Sequence, residues 1–211
     1  MTSPNPDAST LESSALTKLI VSASASGNPF SATTIQVLHN LQHQHLWTSL
    51  QIHDTTASQH AKVSASSSSS EDSGVPPLIS GVPPHRVYTH PDEQLYMLGK
   101  GLREDDLRPE RLFVIPTAQG QSWSLRRIAS AFDAMGGIQI VEDGEERETP
   151  KVDAEKAQKL DDYYEKREEA MATKEWGAQR LLLAMVDKGM GGEGTVVYYV
   201  VQEGEVKPRQ N

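Results

Sequence analysis

Histidine is the residue of this sequence best suited to metal binding or to proton transfer near neutral pH, and seven occur in 211 residues. His39 and His43 are four positions apart, so a helix would place both on one face, and His45 follows them. No glutamate accompanies them in the H-E-x-x-H order of zinc hydrolases, and no third ligand is evident. We predict that they are solvated surface residues, and we expect no metal site, no cofactor site and no catalytic residue here.

A second candidate is the glycine-rich segment Gly189–Gly194, since glycine loops can cradle phosphate groups. It lacks the Gly-Lys-Ser/Thr sequence of nucleotide-binding P-loops, and a strand-like run follows it where a dinucleotide-binding fold has a helix. We interpret it as a hairpin loop whose glycines supply positive φ. Asp187 and Glu193 would give this loop acidic side chains for a basic pocket on a partner.

The two runs that the loop joins, Arg180–Lys188 and Thr195–Val201, are strongly apolar and predict two strands. Successive side chains of a strand point to opposite faces, and the second run is apolar on both. A hairpin of a small domain normally keeps one face polar. The second strand is therefore either central in a sheet or extended across a partner.

Composition sets the remaining limits on function. The hydrophobic fraction is 36%, below the globular average, which indicates that part of the chain does not fold. The formal net charge of −9 argues against autonomous binding of nucleic acid by the whole chain. The absence of cysteine excludes disulfides and thiolate chemistry. No apolar run approaches the roughly 20 residues of a membrane span, and the first residues lack the pattern of a secretory signal. We expect a soluble intracellular protein.

The chain divides into a tail and one interrupted domain. Residues 1–30 predict a disordered tail, and residues 31–211 predict a domain with two insertions. The first insertion, 54–85, contains five consecutive serines and two proline pairs, which favour a long disordered loop. The second, 142–175, has thirteen acidic and seven basic residues, with a helical stripe of Ala154, Ala157, Leu160, Tyr164 and Met171.

Regular elements are predicted outside these segments. Apolar periodicity predicts a helix over Thr33–Trp47 and a second over Ser122–Met135, capped by Ser122 or Ser124 and stopped by Gly136-Gly137. Other predictions are a strand over Thr48–His53, a strand beginning at Val87-Tyr88, a helix or strand over Asp92–Leu102, and a strand over Glu110–Ile115 stopped by Pro116. The alternation of Arg103, Arg108, Arg111, Arg126 and Arg127 with acidic residues predicts a solvated charged surface.

Several segments together resemble the small non-catalytic subunit of the eukaryotic tRNA-splicing endonuclease, the Sen-fifteen type, in its fungal form. The resemblance is carried by His90–Leu98, Arg108–Pro116, Gln121–Ile128, Leu182–Asp187 and Thr195–Gly204, and by the closing residues Val206–Asn211. It covers residues 33–53 and 86–211. It implies an α/β (α+β) fold, a mixed sheet with flanking helices in a nuclease-like domain.

The resemblance also implies partners. The subunit would pair through its C-terminal strand with a catalytic subunit of the Sen-thirty-four type, and a second subunit pair would complete a heterotetramer that cleaves pre-tRNA. Asp187 and Glu193 would lie in an acidic docking loop. The expected location is the nucleus, or in some fungi the cytoplasm or an organelle surface. The expected partner interface is Val196, Val197, Tyr198, Tyr199, Val200 and Val201.

Catalytic members of this family use tyrosine, histidine and lysine. Transferred onto this chain, the histidine would precede the helix near Ser122, where Thr117–Trp123 contains none, and the lysine would occupy Gln179-Arg180. No tyrosine stands in the corresponding loop. The resemblance therefore implies a structural subunit without catalytic activity, because acid–base chemistry needs positioned proton-transfer groups.

Two alternatives stay open at this point. The chain could be an active RNA nuclease of unusual composition that uses His85 or His90. It could also be a self-associating adaptor protein, since an exposed pairing strand can form a homodimer when the chain is isolated.

Overall fold

The computed structural model describes residues 32–53, 77–138, 154–187, 195–203 and 205–208. The predicted N-terminal tail, the serine-rich part of the first insertion, the start of the second insertion and the glycine loop lie outside these residues. No helix among the described ranges is both long and apolar enough to cross a membrane.

A six-stranded mixed sheet forms the centre of the molecule, with its strands in chain order from one edge to the other. Only β3 and β4 are parallel, and every other neighbouring pair is antiparallel. The strands are β1 (Thr48–His53), β2 (Leu78–Val82), β3 (Leu112–Ala118), β4 (Arg180–Asp187), β5 (Thr195–Gln202) and β6 (Glu205–Pro208).

In the part of the chain that the structure describes, four α-helices accompany the sheet, and two of them lie in the connection that the parallel β3–β4 pair requires. A short 3-10 helix at Glu104–Asp106 precedes β3. The α-helices are α1 (Ala32–His43), α2 (Pro91–Lys100), α3 (Leu125–Met135) and α4 (Ala154–Thr173). The predicted α+β class, a mixed sheet with flanking helices, is confirmed.

Apolar side chains on the two faces of the sheet form separate cores. Val37 and Leu41 of α1 cover one face, against Val114, Leu182 and Ala184 among others. Ala131, Phe132 and Met135 of α3 cover the other face. A third cluster lies beside the sheet, where α2 and α4 bury Met97, Tyr163, Ala170 and Trp176.

The prediction of a continuous loop through residue 85 is wrong over Leu78–Val82, which is strand β2. Four of its five residues are buried, and it pairs with both β1 and β3. The sequence did not predict this strand, because five residues between two proline pairs resemble a loop when their burial is unknown. A Cβ at Gly81 would lie 2.6 Å from Leu50 Cδ2, so a larger residue there would require the Leu50 side chain to move.

Pro116 does not stop β3, as the sequence predicted, but lies inside it opposite Ala184 of β4. Proline is tolerated where a strand has one neighbour. The pairing of β3 with β2 ends at Val114, so β3 has only β4 beside it at Pro116 among the described residues.

Other boundaries also differ from the predictions. Val87-Tyr88 does not begin a strand. The helix or strand predicted over Asp92–Leu102 is helix α2, which ends at Lys100 and is capped by His90. Helix α1 ends at His43, before Leu46, which has a φ of 55° and is exposed. Helix α3 begins at Leu125, and the hydroxyl of Ser124, not Ser122, caps it by accepting from Arg127 N.

The charged insertion contains the predicted helix, but its buried face is different. Tyr163 and Ala170 are buried, whereas Met171 of the predicted stripe is exposed. Tyr164 is half-buried, and its hydroxyl accepts from Arg108 N at 2.7 Å.

Candidate functional site

Strand β5 is the element on which the predicted partner interface depends. Its whole length pairs with β4, from Arg180 opposite Gln202 to Asp187 opposite Thr195. On its other edge, β6 pairs only with Tyr199–Gln202. Among the described residues, Thr195–Val197 therefore has one hydrogen-bonding edge that β6 does not pair.

Three of the six predicted interface side chains are packed inside this chain. Tyr198 and Val200 lie in the core beneath α1, and Val201 lies in the core beneath α3. The Tyr198 hydroxyl also donates to Asn40 Oδ1 at 2.6 Å. Val196 packs against the edge of the α1 core. These four side chains support the fold, which the sequence could not separate from a role in pairing.

The other two interface residues belong to an accessible apolar surface. Val197 is 37% exposed and lies opposite Met185, while Tyr199 is half-buried and lies opposite Leu183. Cross-strand partners two positions apart share a face of the sheet. Leu183, Met185, Val197 and Tyr199 thus form one surface, here called the open patch, beside the area that α3 covers.

The predicted docking loop is described only at its base. Asp187 ends β4 opposite Thr195 and is half-buried. Glu193 and the glycines lie outside the described residues. Asp187 and Thr195, the described residues on either side of the segment 188–194, are paired with each other.

The two positions transferred from catalytic relatives are not close together. Because β3 and β4 are parallel, the segment after Ala118 lies beside Val186, and Gln119 N donates to Val186 O at 2.9 Å. Arg180 lies at the opposite end of β4. About six residues of strand separate them, which is roughly 20 Å. Placing the histidine before α3 and the lysine at Arg180 is therefore wrong for a single site in this fold.

The two histidines of the nuclease alternative have different surroundings. His90 is the N-cap of α2, where its Nδ1 accepts from Asp92 N at 3.3 Å. His85 is exposed at a cavity that is also lined by Arg86 and Arg111. Among the described residues, no group of three histidine, aspartate or glutamate side chains could hold a metal ion.

A buried ionic network joins α2, α4 and the segments that precede α2 and β3, and no sequence pattern predicted it. Arg86, only 8% exposed, donates to Glu93 at 2.8 Å and to Glu110 at 2.5 Å. Arg167 of α4 pairs with Glu110 and lies 3.6 Å from Glu93. Tyr163 donates its hydroxyl to Glu93 at 2.6 Å. These residues lie far apart in the chain, so no periodic pattern marks them.

Burial and pairing shift the pKa values of this network in opposite directions. Burial alone would raise the pKa of Glu93, but the hydrogen bonds from Tyr163 and Arg86 outweigh it, so the pKa is lowered. Desolvation and the nearby Arg86 lower the pKa of Arg167 to about 10. Desolvation also raises the pKa of Tyr163. The network is therefore a neutral tyrosine, ionised carboxylates and charged guanidinium groups at neutral pH.

The network forms one wall of a cavity of about 570 Å³. The cavity extends from the segment after β2 to the first residues of β4. Arg108 and Arg111, which the sequence assigned to a solvated surface, both line it, whereas Arg126 is exposed on α3. Arg108 is exposed, as the prediction of a solvated charged surface requires, whereas Arg111 is half-buried, so that prediction is wrong for Arg111.

Comparison with known proteins identifies the relatives of the chain. No solved structure matches it. A probable tRNA-splicing endonuclease subunit, tsp-1, of Neurospora crassa is 32% identical over 199 residues, which cover 91% of this chain and 71% of that protein. The family described as Sen15 protein matches residues 36–148. By this match and the extent of the similarity, the chain belongs to the Sen15 protein family.

Proposed function

We propose that this chain is a structural, non-catalytic subunit of the tRNA-splicing endonuclease and that it acts in intron removal from pre-tRNA. Family membership and the similarity to an endonuclease subunit support the role in tRNA splicing. The observation that carries the structural role is the open patch, together with the unpaired edge of β5 beside it. The proposed partner is a catalytic subunit of the Sen-thirty-four type.

The sheet offers this partner two kinds of contact at one place. The edge of Thr195–Val197 that β6 does not pair can form main-chain hydrogen bonds with an added strand. The open patch, above all Val197 and Tyr199, can bury apolar area against the same partner. This narrows the proposed interface from six side chains to two on β5, supported by Leu183 and Met185 of β4.

Co-purification with the catalytic subunit tests the interface. We expect Val197→Asp to reduce recovery of the partner by roughly tenfold, because a buried unpaired carboxylate is costly. Leu125→Asp is the matched control, since Leu125 is 86% exposed at the start of α3, outside the open patch. Tyr198→Asp and Val200→Asp are unsuitable, because both side chains lie in the core of this chain.

One outcome of the co-purification would contradict pairing through β5. If Val197→Asp keeps the partner while its circular dichroism and melting curve match those of the wild type, pairing through β5 is wrong. Sedimentation of the isolated chain tests the adaptor alternative. A homodimer that Val197→Asp dissociates would show that the isolated chain uses the same surface for itself.

We propose that the segment after Asp187 docks onto the second subunit pair. Glu193→Lys should leave co-purification with the first partner intact and weaken assembly of the heterotetramer in size exclusion. Asp187→Lys is a less direct variant, because Asp187 is itself a strand residue paired with Thr195. Intact tetramers with Glu193→Lys at working concentration would contradict the docking role.

Absence of catalysis is tested by incubating the purified chain with an intron-containing pre-tRNA. We expect no cleavage without partners, because acid–base chemistry needs positioned proton-transfer groups and the segment Thr117–Trp123 before α3 contains no histidine. Cleavage that is lost in His85→Ala would instead establish the nuclease alternative. A nuclear location, proposed with the function, is checked by imaging a fluorescent fusion.

A further inference from the structure

The arginine-lined cavity of about 570 Å³ is not used by the proposed pairing surface. Its size lies in the range of small-molecule sites. Five arginines line it against four carboxylates, in a chain whose formal net charge is −9. Positive groups are thus concentrated in one cavity of an acidic protein. The arginines are Arg86, Arg108, Arg111, Arg167 and Arg180.

Two of the five arginines are neutralised within the chain. Arg86 and Arg167 share Glu93 and Glu110 in the buried network. Of the other two carboxylates, Glu104 accepts from Thr89 Oγ1 at 2.7 Å, and Asp105 lies on the 3-10 helix. No carboxylate of the described residues pairs with the three remaining arginines.

Those three guanidinium groups are held by neutral groups instead. Arg108 lies 5.1 Å from the ring centroid of Tyr164. Arg111 donates to Ser49 O at 2.7 Å and to Ser80 Oγ at 3.1 Å. Such contacts orient a guanidinium group without pairing it with a carboxylate.

Arg180 is the most informative of the three. Its guanidinium group lies 4.7 Å from the ring centroid of Tyr88, and one of its terminal nitrogens donates to Trp176 O. Its Nε is buried without a hydrogen-bond partner, and so is Nε of Arg86. Desolvation and the neighbouring Arg86 lower the pKa of Arg180, although nearby Glu93 opposes this. Because Nε is buried, an incoming anion would contact the terminal nitrogens of this half-buried side chain, which lines the cavity, and would offset the desolvation of its charge.

Phosphate is the anion that best fits this arrangement. A guanidinium fork presents parallel donors that match the oxygens of phosphate, and several arginines around one cavity favour a dianion over a single carboxylate. A phosphate group alone would fill little of the volume. The rest of the wall includes Leu107, Pro109, Phe113 and Met135, which favour an apolar or aromatic group.

We propose that this cavity binds a phosphorylated nucleoside, with Arg180 holding the phosphate group and the apolar wall holding the base. The nucleoside phosphate is either a free nucleotide or one residue of an RNA chain. This site goes beyond the proposed pairing role and does not depend on it.

Isothermal titration calorimetry of the full-length chain at low ionic strength tests the site, with adenosine 5′-monophosphate as the probe. We expect binding of this nucleotide, weaker binding of inorganic phosphate, and none of adenosine or succinate. Arg180→Gln should weaken nucleotide binding by roughly tenfold or more, since charge-assisted hydrogen bonds are lost. Arg126→Gln, on the exposed side of α3, should change it by less than about twofold.

Thermal melting separates loss of the site from loss of the fold. Arg180→Gln should melt no lower than the wild type without ligand, because it removes a desolvated charge. The nucleotide should raise the melting temperature of the wild type and not that of the variant. If Arg180→Gln fails to fold, Arg180→Lys decides, since it keeps the charge and loses the fork, and unchanged affinity there would contradict the proposed contact.

Other results would overturn the proposal directly. Equal binding of adenosine or succinate would exclude a phosphate site, and so would equal loss in Arg126→Gln and Arg180→Gln. A short RNA oligonucleotide without a terminal phosphate distinguishes the two sources. Competition with the nucleotide assigns the site to an RNA chain, and nucleotide binding without such competition assigns it to a free nucleotide.

Discussion

The two neighbouring tyrosines of β5 lie in different surroundings. Tyr198 donates to Asn40 Oδ1 in the buried core, whereas Tyr199 lies in the open patch. We expect Tyr198→Phe to lower the free energy of unfolding by about 1–2 kcal/mol, because the buried amide oxygen loses its donor. Tyr199→Phe is the matched control and should change it by less than about 0.5 kcal/mol. Urea unfolding measures both, and equal effects would contradict the assignment of Tyr198 to the core.

Glu93 is the carboxylate on which the buried network depends, since it is 2% exposed and contacts Arg86, Arg167 and Tyr163. Glu93→Gln should lower the free energy of unfolding by about 3 kcal/mol or more, because it leaves buried guanidinium charge uncompensated. Asp162→Asn, which breaks a more exposed pair with Lys100, should cost less than about 1 kcal/mol. Similar values for the two variants would mean that the network contributes little.

Acid should remove the contribution of Glu93. Its pKa is lower in the folded chain than the reference value of 4.5, so the ionised carboxylate stabilises the fold above that pH. The contribution is lost as the pH falls through the folded-state pKa. Urea unfolding from about pH 6 to about pH 3 should therefore show a steeper loss of stability for the wild type than for Glu93→Gln. Parallel curves would contradict the lowered pKa.

At the scale of elements, the start of α3 gives a direct test of local sequence signals. The hydroxyl of Ser124 accepts from Arg127 N, while Ser122 precedes the helix without capping it. We expect Ser124→Ala to lower the free energy of unfolding by about 1 kcal/mol. Ser122→Ala, the matched control, should be neutral. The opposite order in urea unfolding would show that the helix begins earlier.

Elements with strong periodicity were predictable from the sequence, and elements defined by burial were not. The apolar runs of β4 and β5 and the amphipathic pattern of α3 carry their own signals. Strand β2 does not, because Leu78–Val82 is short and lies between prolines. The sequence predicted Tyr164, and not Tyr163, in the buried stripe of α4. Tyr163 is buried and donates a hydrogen bond to Glu93 of another helix, which periodicity within α4 does not indicate.

The candidate sites were likewise predictable where a periodic pattern marked them and unpredictable where they depend on burial. The apolar character of β5 indicated where pairing occurs, but the separation of Val197 from Tyr198 needed the positions of α1 and α3. The arginine-lined cavity could not be predicted, because it brings together residues from 83 to 200 through tertiary contacts between charged side chains. Charge alternation in sequence indicates a solvated surface by default.

At the scale of the whole molecule, the outer edge of β5 is paired with β6 over only part of its length among the described residues. The part of β5 that β6 does not pair lies at the same end of the strand as the open patch. The cavity is lined by Arg180 at the other end of β4. Pairing with a subunit and binding of a phosphorylated ligand thus use separate regions. We expect Val197→Asp to leave nucleotide affinity within about twofold by calorimetry, and a larger change would show that the two regions are coupled.

Hydrogen exchange of this chain, alone and in complex with the catalytic subunit, tests strand pairing most directly. We predict that, within Thr195–Val197, the amides that point away from β4 become protected in the complex, because an added strand pairs with that edge. Amides of β1, which lies at the opposite edge of the sheet, should exchange at the same rate in both samples. Unchanged exchange of those β5 amides, or new protection in β1 alone, would contradict pairing through β5.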